Sequence, residues 1–176
     1  GASAAFKGKS ARGPYGDAVE EIDWSVGEVM KAVDAIGATE RTLIVFLSDN
    51  GPWLIRGENG GSATPLRNGK GMTYEGGVRV PCVMRFPGVI PPGTVCQQTA
   101  ANIDFLPTLA GLAGADVPDS PEIDGKDIAA LLSAPESTTS ARDKFFYYFG
   151  NQLHGVRSGP WKYRAQNILK NENIYY

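Results

Sequence analysis

Apolar and polar residues alternate in the first third of the chain with the period of an amphipathic helix. The pattern predicts a helix that starts at Asp17 and runs to Val33, with Gly37 as its stop, since glycine readily adopts the left-handed conformation that ends helices. Asp17, Glu20 and Glu21 are interpreted as a solvated first turn, because the helix dipole favours negative charge there. The predicted apolar face comprises Val19, Ile22, Val26, Val29, Met30 and Val33.

A short apolar run, residues 43–47, predicts a strand. The run is rich in β-branched residues and apolar on both faces, which is typical of a strand buried in a parallel sheet. A short connection joins it to the helix, so the two elements resemble an α/β unit. After a long glycine-rich loop, residues 52–73, a second strand is predicted at residues 78–86, where Pro81 indicates an edge or a strand start.

The second half of the chain first predicts helices. Residues 103–112 fit a helix with Asp104 as N-cap, Pro107 in its first turn and Gly114 after its end. The apolar residues of a second, short helix are Ile128, Leu131 and Leu132.

Three short strands joined by glycine-containing turns follow, and they predict a small antiparallel sheet at residues 145–149, 154–157 and 161–164. The polar link at residues 133–140 is the predicted boundary. We therefore expect an α/β fold, with part of a mixed sheet and flanking helices in residues 1–135 and the antiparallel subdomain in residues 141–176.

Composition and charge exclude several classes of protein. Hydrophobic residues make up 42% of the chain and charged residues 20%, as in ordinary globular domains. A net charge of -2 gives no electrostatic support for nucleic-acid binding. No apolar run approaches the roughly 20 residues that span a bilayer, and the N-terminus lacks the pattern of a signal peptide.

The cysteines and the histidine suggest no separate site. Cys82 and Cys96 are too few for a disulfide framework, and two buried free thiols are favoured over a pair. The single histidine, His154, lies in the region of the C-terminal strands, where a structural role is favoured over catalysis. One histidine cannot build a histidine-rich zinc site.

Asp49 and Asn50 directly follow the first predicted strand. They offer a carboxylate and an amide oxygen, which are ligands that Ca²⁺ or Mg²⁺ takes, at the strand end where α/β proteins commonly bind ligands. The same residues followed by Gly51 also form an ordinary turn. From the local sequence alone, the turn is favoured over the pair of ligands.

Lys70 lies between Gly69 and Gly71, so the backbone there can approach an anion closely while the ammonium supplies a charge. A phosphate-binding P-loop is excluded, because that motif needs glycine at position 64 and serine or threonine at 71, where the chain has Thr64 and Gly71. From the local sequence alone, a solvated lysine in a flexible loop is favoured over an anion contact.

Several ordered motifs together resemble the sulfatase family, of the arylsulfatase A and galactosamine-6-sulfatase type, within the alkaline-phosphatase superfamily. The two central motifs are Phe-Leu-Ser-Asp-Asn-Gly-Pro and Leu-Arg-Asn-Gly-Lys-Gly-Met-Thr-Tyr-Glu-Gly-Gly-Val-Arg-Val-Pro, at residues 46–52 and 66–81. Matching flanks occur at residues 15–23, 104–110, 123–125 and 155–163. The resemblance implies an alkaline-phosphatase-like mixed sheet and the C-terminal portion of a sulfatase.

The resemblance also implies roles for three residues. Asp49 and Asn50 match a pair of calcium ligands of the family, with Mg²⁺ as the alternative ion, and Lys70 matches the lysine that contacts the substrate sulfate. The family's nucleophile is a formylglycine made in a C/S-x-P-x-R motif, which this sequence lacks. We therefore expect the formylglycine in an upstream segment, and no activity of this chain alone.

The implied partner is a sulfate-ester small molecule or a sulfated glycan, in a secreted, periplasmic or lysosomal protein. Two alternatives stay open. One is a phosphodiesterase or phosphonate hydrolase of the same superfamily, and the other is a non-catalytic module that binds sulfated glycans.

Overall fold

The computed structural model describes residues 1–117 and 121–165. The chain divides into two compact units, Gly1–Phe86 and Pro87–Tyr176. Both units combine helices with a small sheet. The predicted boundary at residues 133–140 stays a prediction.

The first unit begins with a long helix, α1, Gly13–Ala35. It starts before the predicted Asp17, because Pro14 occupies the first turn, where its fixed φ and missing N–H fit a helix start. Gly37 follows the helix with a φ of 64°, so the predicted stop is confirmed. The apolar face is present but only partly covered within the unit, and Val29 is 54% exposed.

The interpretation of the helix start as a solvated acidic turn is wrong for Asp17. This carboxylate is buried and accepts hydrogen bonds from the backbone N–H groups of Gly8, Lys9 and Ser10, at 2.7, 3.1 and 2.8 Å. The bond from Gly8, followed by that from Ser10, lowers the pKa of Asp17 from its usual 3.8. Asp17 therefore anchors the N-terminal segment onto α1.

The strand after α1, β1, Ile44–Leu47, pairs with β2, Cys82–Arg85. The ladder is antiparallel and sets Ile44 opposite Arg85 and Leu47 opposite Cys82. The prediction of a strand buried in a parallel sheet is therefore wrong for the described chain, where the partner runs the opposite way and Phe46 is 38% exposed. The apolar run predicted the strand, but not the direction of its partner or the exposure of Phe46.

The glycine-rich loop contains a 3₁₀ segment, Leu54–Asn59, and ends in a single helical turn, α2, Glu75–Val78. Part of the strand predicted at residues 78–86 is thus helical, and only its second half forms β2. Pro81 separates the two, consistent with its predicted place at a strand start.

The second unit contains two helices, α3, Phe105–Leu112, and α4, Ala129–Ser133. Asp104 occupies the N-cap position of α3, as predicted, but its side chain makes no capping hydrogen bond. Instead, this fully buried carboxylate accepts bonds from the backbone of Ala101 and Lys126, both at 2.8 Å, and an ion pair from Arg142. The carboxylate therefore joins three separate segments.

An antiparallel three-stranded sheet follows, in the order β3, Lys144–Phe149, β4, Gln152–Ser158, and β5, Trp161–Arg164. The predicted strands and their antiparallel pairing are confirmed. His154 is buried in this sheet and stacks on Phe149 with a centroid distance of 5.4 Å, which supports a structural role.

Both cysteines are free, as favoured from the sequence, but Cys82 and Cys96 are exposed and not buried. Cys82 opens the short strand β2, where it pairs with Leu47 at the end of the ladder. Within residues 1–117 and 121–165, none of the helices has the length and apolar character that crossing a bilayer requires.

Candidate metal and sulfate site

Two loops of the first unit are tied together by their backbones. The N–H of Gly51, just after the Asp-Asn pair, donates to the carbonyl oxygen of Gly77 at 3.0 Å. The N–H of Lys70 donates to the carbonyl oxygen of Pro52 at 2.9 Å. The structure therefore brings the two sequence motifs to one place, as a shared site requires.

Glycine is required where these loops meet. A methyl group on Gly51 would collide with the carbonyl oxygen of Gly76, and one on Gly69 with that of Pro52. Gly77 is likewise in contact with the backbone of Met72. The glycines of the two motifs thus act here by letting backbones approach closely.

The Asp-Asn pair is held by its own turn. Ser48 bridges the end of β1, since its N–H donates to Pro81 at 3.3 Å and its hydroxyl donates to the carbonyl oxygen of Asn50 at 2.8 Å. The side-chain amide of Asn50 donates to the carbonyl oxygen of Gly51 at 2.9 Å. Asn50 therefore donates within the turn and keeps its amide oxygen as a possible ligand.

The carboxylate of Asp49 is exposed and forms no hydrogen bond or ion pair with any residue of the described ranges. These two oxygen donors fit a hard divalent cation such as Ca²⁺, which takes six to eight oxygen ligands. No cluster of three or more acidic, cysteine or histidine side chains suited to a metal occurs among residues 1–117 and 121–165. Asp49 and Asn50 are thus a partial ligand set.

Lys70 is exposed, and its side chain faces an aromatic ring. Its Nζ lies 5.5 Å from the centroid of the Trp53 ring, and Cζ of Arg56 lies 4.4 Å from the same ring. Neither Trp53 nor Arg56 is predicted from the sequence as a site residue. The only available signal was their place in the long glycine-rich loop, since long ordered loops commonly carry function.

The site residues Asp49, Asn50 and Lys70 all belong to the first unit, whereas His154 belongs to the second. Burial, followed by the positive charge of Arg164, lowers the pKa of His154 from its usual 6.5. This histidine therefore binds a proton less readily than a free imidazole.

Comparison with known proteins identifies the family. The family model described as sulfatase matches residues 1–115. Steryl-sulfatase of Mus musculus is 43% identical over 166 residues, which cover 89% of this chain and 26% of that protein. Arylsulfatase A of Homo sapiens is 43% identical over 162 residues, covering 89% of this chain and 31% of that protein. N-acetylgalactosamine-6-sulfatase of Canis lupus familiaris is 41% identical over 162 residues, covering 92% of this chain and 30% of that protein.

Solved structures agree. A sulfatase from Pseudoalteromonas sp. superposes with a TM-score of 0.83 at 32% identity, over 92% of this chain and 32% of that one. A protein in complex with its substrate D-glucosamine-2-N,6-O-disulfate superposes with a TM-score of 0.65 at 28% identity, over 84% of this chain and 30% of that one. The chain thus spans less than a third of these relatives' length. The expected alkaline-phosphatase-like fold and the family resemblance are confirmed, and the chain belongs to the sulfatase family.

Proposed function

We propose that this chain is the metal and sulfate-binding part of a sulfatase that hydrolyses sulfate esters, in a secreted, periplasmic or lysosomal protein. Asp49 and Asn50 hold a divalent cation, Ca²⁺, and Lys70 contacts the sulfate group. The relatives named for aryl, steryl and sugar sulfates support sulfate esters as the substrate class. The chain's own contribution is positive charge and hard oxygen ligands at one place.

The observation that carries this proposal is the pair of backbone hydrogen bonds between the two loops. The bond from Gly51 to Gly77 fixes the turn that presents Asp49 and Asn50, and the bond from Lys70 to Pro52 fixes the lysine beside that turn. Without these two hydrogen bonds, the two motifs would have no fixed position relative to each other, since a long loop separates them in the chain. With them, a cation ligand pair and an ammonium lie in one preorganised region.

The chemistry follows from charge. A sulfate ester carries negative charge that shifts onto its leaving oxygen in the transition state, so fixed positive groups stabilise the transition state more than the free ester. Bound Ca²⁺ supplies positive charge to the sulfate oxygens. Lys70 donates hydrogen bonds to the same group as a compact point charge.

The nucleophile is proposed to come from elsewhere in the protein. The 176 residues contain no C/S-x-P-x-R motif, so the formylglycine of the family is expected upstream and this chain alone should not turn over substrate. Reading the coding sequence upstream of Gly1 tests this directly. A complete upstream frame without such a motif would contradict a formylglycine mechanism and favour the non-catalytic module that only binds sulfated glycans.

The lysine is tested by Lys70→Ala in the full-length protein, assayed on an aryl sulfate. Loss of one charged donor at the transition state should lower kcat by about 10²- to 10³-fold. The matched control is Lys31→Ala, an exposed lysine whose ion pair with Glu28 at 2.7 Å lies on the surface of α1. Near-normal activity of Lys70→Ala would show that Lys70 is a solvated loop residue.

The metal ligands are tested separately, by the calcium content of purified protein. Asp49→Ala should release bound Ca²⁺, whereas Asp23→Ala, which removes an exposed carboxylate from α1, should retain it. Equal calcium content in both variants would restore the interpretation of residues 49–51 as a simple turn.

A further inference from the structure

The Trp53 indole carries two positive groups. The guanidinium carbon of Arg56 lies 4.4 Å from the ring centroid, and the ammonium nitrogen of Lys70 lies 5.5 Å from it. The guanidinium carbon of Arg56 and the ammonium nitrogen of Lys70 can therefore be no farther apart than the sum of these two distances. Each is attracted by the negative face of the ring, but they repel each other.

No acidic side chain of the described ranges compensates these charges. Neither Arg56 nor Lys70 forms a side-chain hydrogen bond or an ion pair with residues 1–117 or 121–165. Glu58 follows Arg56 across a kink at Gly57 and makes no ion pair with it. Two uncompensated cations on one ring favour a ligand with negative charge at both positions.

The segment that presents Arg56 is fixed by its backbone. The N–H of Trp53 donates to Gly60 at 3.0 Å, and the N–H of Arg56 donates to Trp53 at 2.9 Å. A methyl group on Gly60 would collide with the carbonyl oxygen of Trp53, so this contact is as close as those of the site itself. The cation is thus preorganised, which lowers the entropy cost of binding.

The exposed surface of this segment suits a sugar ring. Trp53 is 44% exposed, and the neighbouring Ile55 is 82% exposed. The exposed apolar surface beside the two cations can pack against a sugar, while a guanidinium can hold a sulfate or carboxylate by two parallel hydrogen bonds.

We propose that Arg56 and Trp53 form a subsite for a second acidic group of the substrate, next to the sulfate held by Lys70. The substrate class is then a sulfated sugar with another sulfate or a carboxylate close to the reacting sulfate ester. This inference rests on the proposed function, since it takes Lys70 as the contact of the reacting sulfate.

The kinetic test compares a disulfated glucosamine with a monosulfated one in the full-length protein. Arg56→Ala should lower kcat/KM for the disulfated sugar about tenfold more than for the monosulfated sugar, chiefly through KM, because it removes a charge-assisted hydrogen bond. Arg56→Lys should restore part of this preference. Arg41→Ala, an exposed arginine of the same unit, should leave the preference unchanged.

A third substrate, a monosulfated disaccharide that contains a uronate, distinguishes the two sources of the second charge. If Arg56→Ala lowers kcat/KM selectively for this substrate, the subsite takes a carboxylate, and if only the disulfated sugar is affected, it takes a sulfate. A change in substrate preference below about fivefold for both acidic substrates overturns the subsite, since a charged hydrogen bond is worth more.

A binding measurement keeps the test independent of turnover. In the Lys70→Ala background, where hydrolysis is expected to be slow, adding Arg56→Ala should raise the Kd for the disulfated glucosamine by about tenfold. Equal Kd values in the single and double variants overturn the subsite. Failure of the proposed function has a different signature, namely undiminished hydrolysis of the monosulfated sugar by Lys70→Ala itself.

Discussion

Asp49 and Asp104 are both carboxylates at the end of a regular element, but their surroundings are opposite. Asp104 is fully buried and is bound by two backbone N–H groups and by Arg142. Asp49 is exposed and has no partner among the described residues, although the backbone around it is tightly held. The comparison separates a carboxylate used for folding from one left available to a ligand.

The same contrast extends to the neighbours. In the second unit, Thr108 is buried and uses its hydroxyl twice, donating to the backbone carbonyl oxygen of Asp104 at 2.6 Å and accepting from the N–H of Ile128 at 2.9 Å. At the two site loops of the first unit, close packing involves backbone atoms of glycines, and the side chains of Asp49 and Lys70 are exposed. Rigid backbone with unpaired side chains is what a binding site requires.

The largest effect on stability is expected from a variant that disrupts the buried hydrogen-bond cluster around Asp104. Asp104→Ala leaves the guanidinium of Arg142 buried without its carboxylate, and should lower the free energy of unfolding by about 3–5 kcal/mol. Urea denaturation measures this loss. Asp143→Ala, which removes an exposed carboxylate next to the same arginine, should change stability by less than about 0.5 kcal/mol. Equal effects of both variants would contradict a structural role for Asp104.

A smaller effect on stability is expected from a variant that disrupts the contact between Gly51 and Gly76 in the two site loops. Gly51→Ala places a methyl group against the carbonyl oxygen of Gly76, and should cost about 1–3 kcal/mol together with loss of bound Ca²⁺. Gly27→Ala is the control, since nothing lies within 4 Å of its added methyl group, and alanine should stabilise α1 by about 0.5–1 kcal/mol. A Gly51→Ala protein with normal stability and calcium content would show that the loops are not tightly packed.

The smallest expected effect concerns pH. The pKa of His154 is lowered in the folded protein, first by burial, so the unfolded chain binds a proton more readily. The stability from the neutral histidine is complete above the usual pKa of 6.5 and is lost as pH falls through 6.5 towards the folded value. Denaturation at several pH values should show this slope, and His154→Phe should remove it. An unchanged slope in the variant would assign the pH dependence to other groups.

The parts of the fold that follow local rules were predictable from sequence. The three C-terminal strands have short β-rich runs separated by glycine turns, and Gly37 and Gly114 mark helix ends with φ values of 64° and 70°. The direction of β1 was not predictable, since its apolar residues satisfy either kind of ladder. The burial of Asp17 was missed because its partners lie seven to nine residues earlier in a loop without a periodic pattern.

The candidate site was predictable only in part. The residue types at positions 49, 50 and 70 indicated hard ligands and an anion contact, but without the family motifs the local sequence favoured a simple turn and a solvated loop lysine. The contact between Gly51 and Gly76 joins two distant stretches, and no spacing rule reveals it. Trp53 and Arg56 were missed for the same reason, because their relation to Lys70 exists only after the loops fold together.

The close packing of the site glycines also restricts how this protein can change its substrate during evolution. A side chain at Gly51, Gly69 or Gly76 would displace the backbone, so we expect few tolerated substitutions there. On the 3₁₀ segment, Ile55 and Arg56 are exposed and carry no such restriction, whereas the φ of 55° at Gly57 favours glycine. We therefore expect new substrate preferences in this lineage to arise through Ile55 and Arg56, on a glycine frame that changes little.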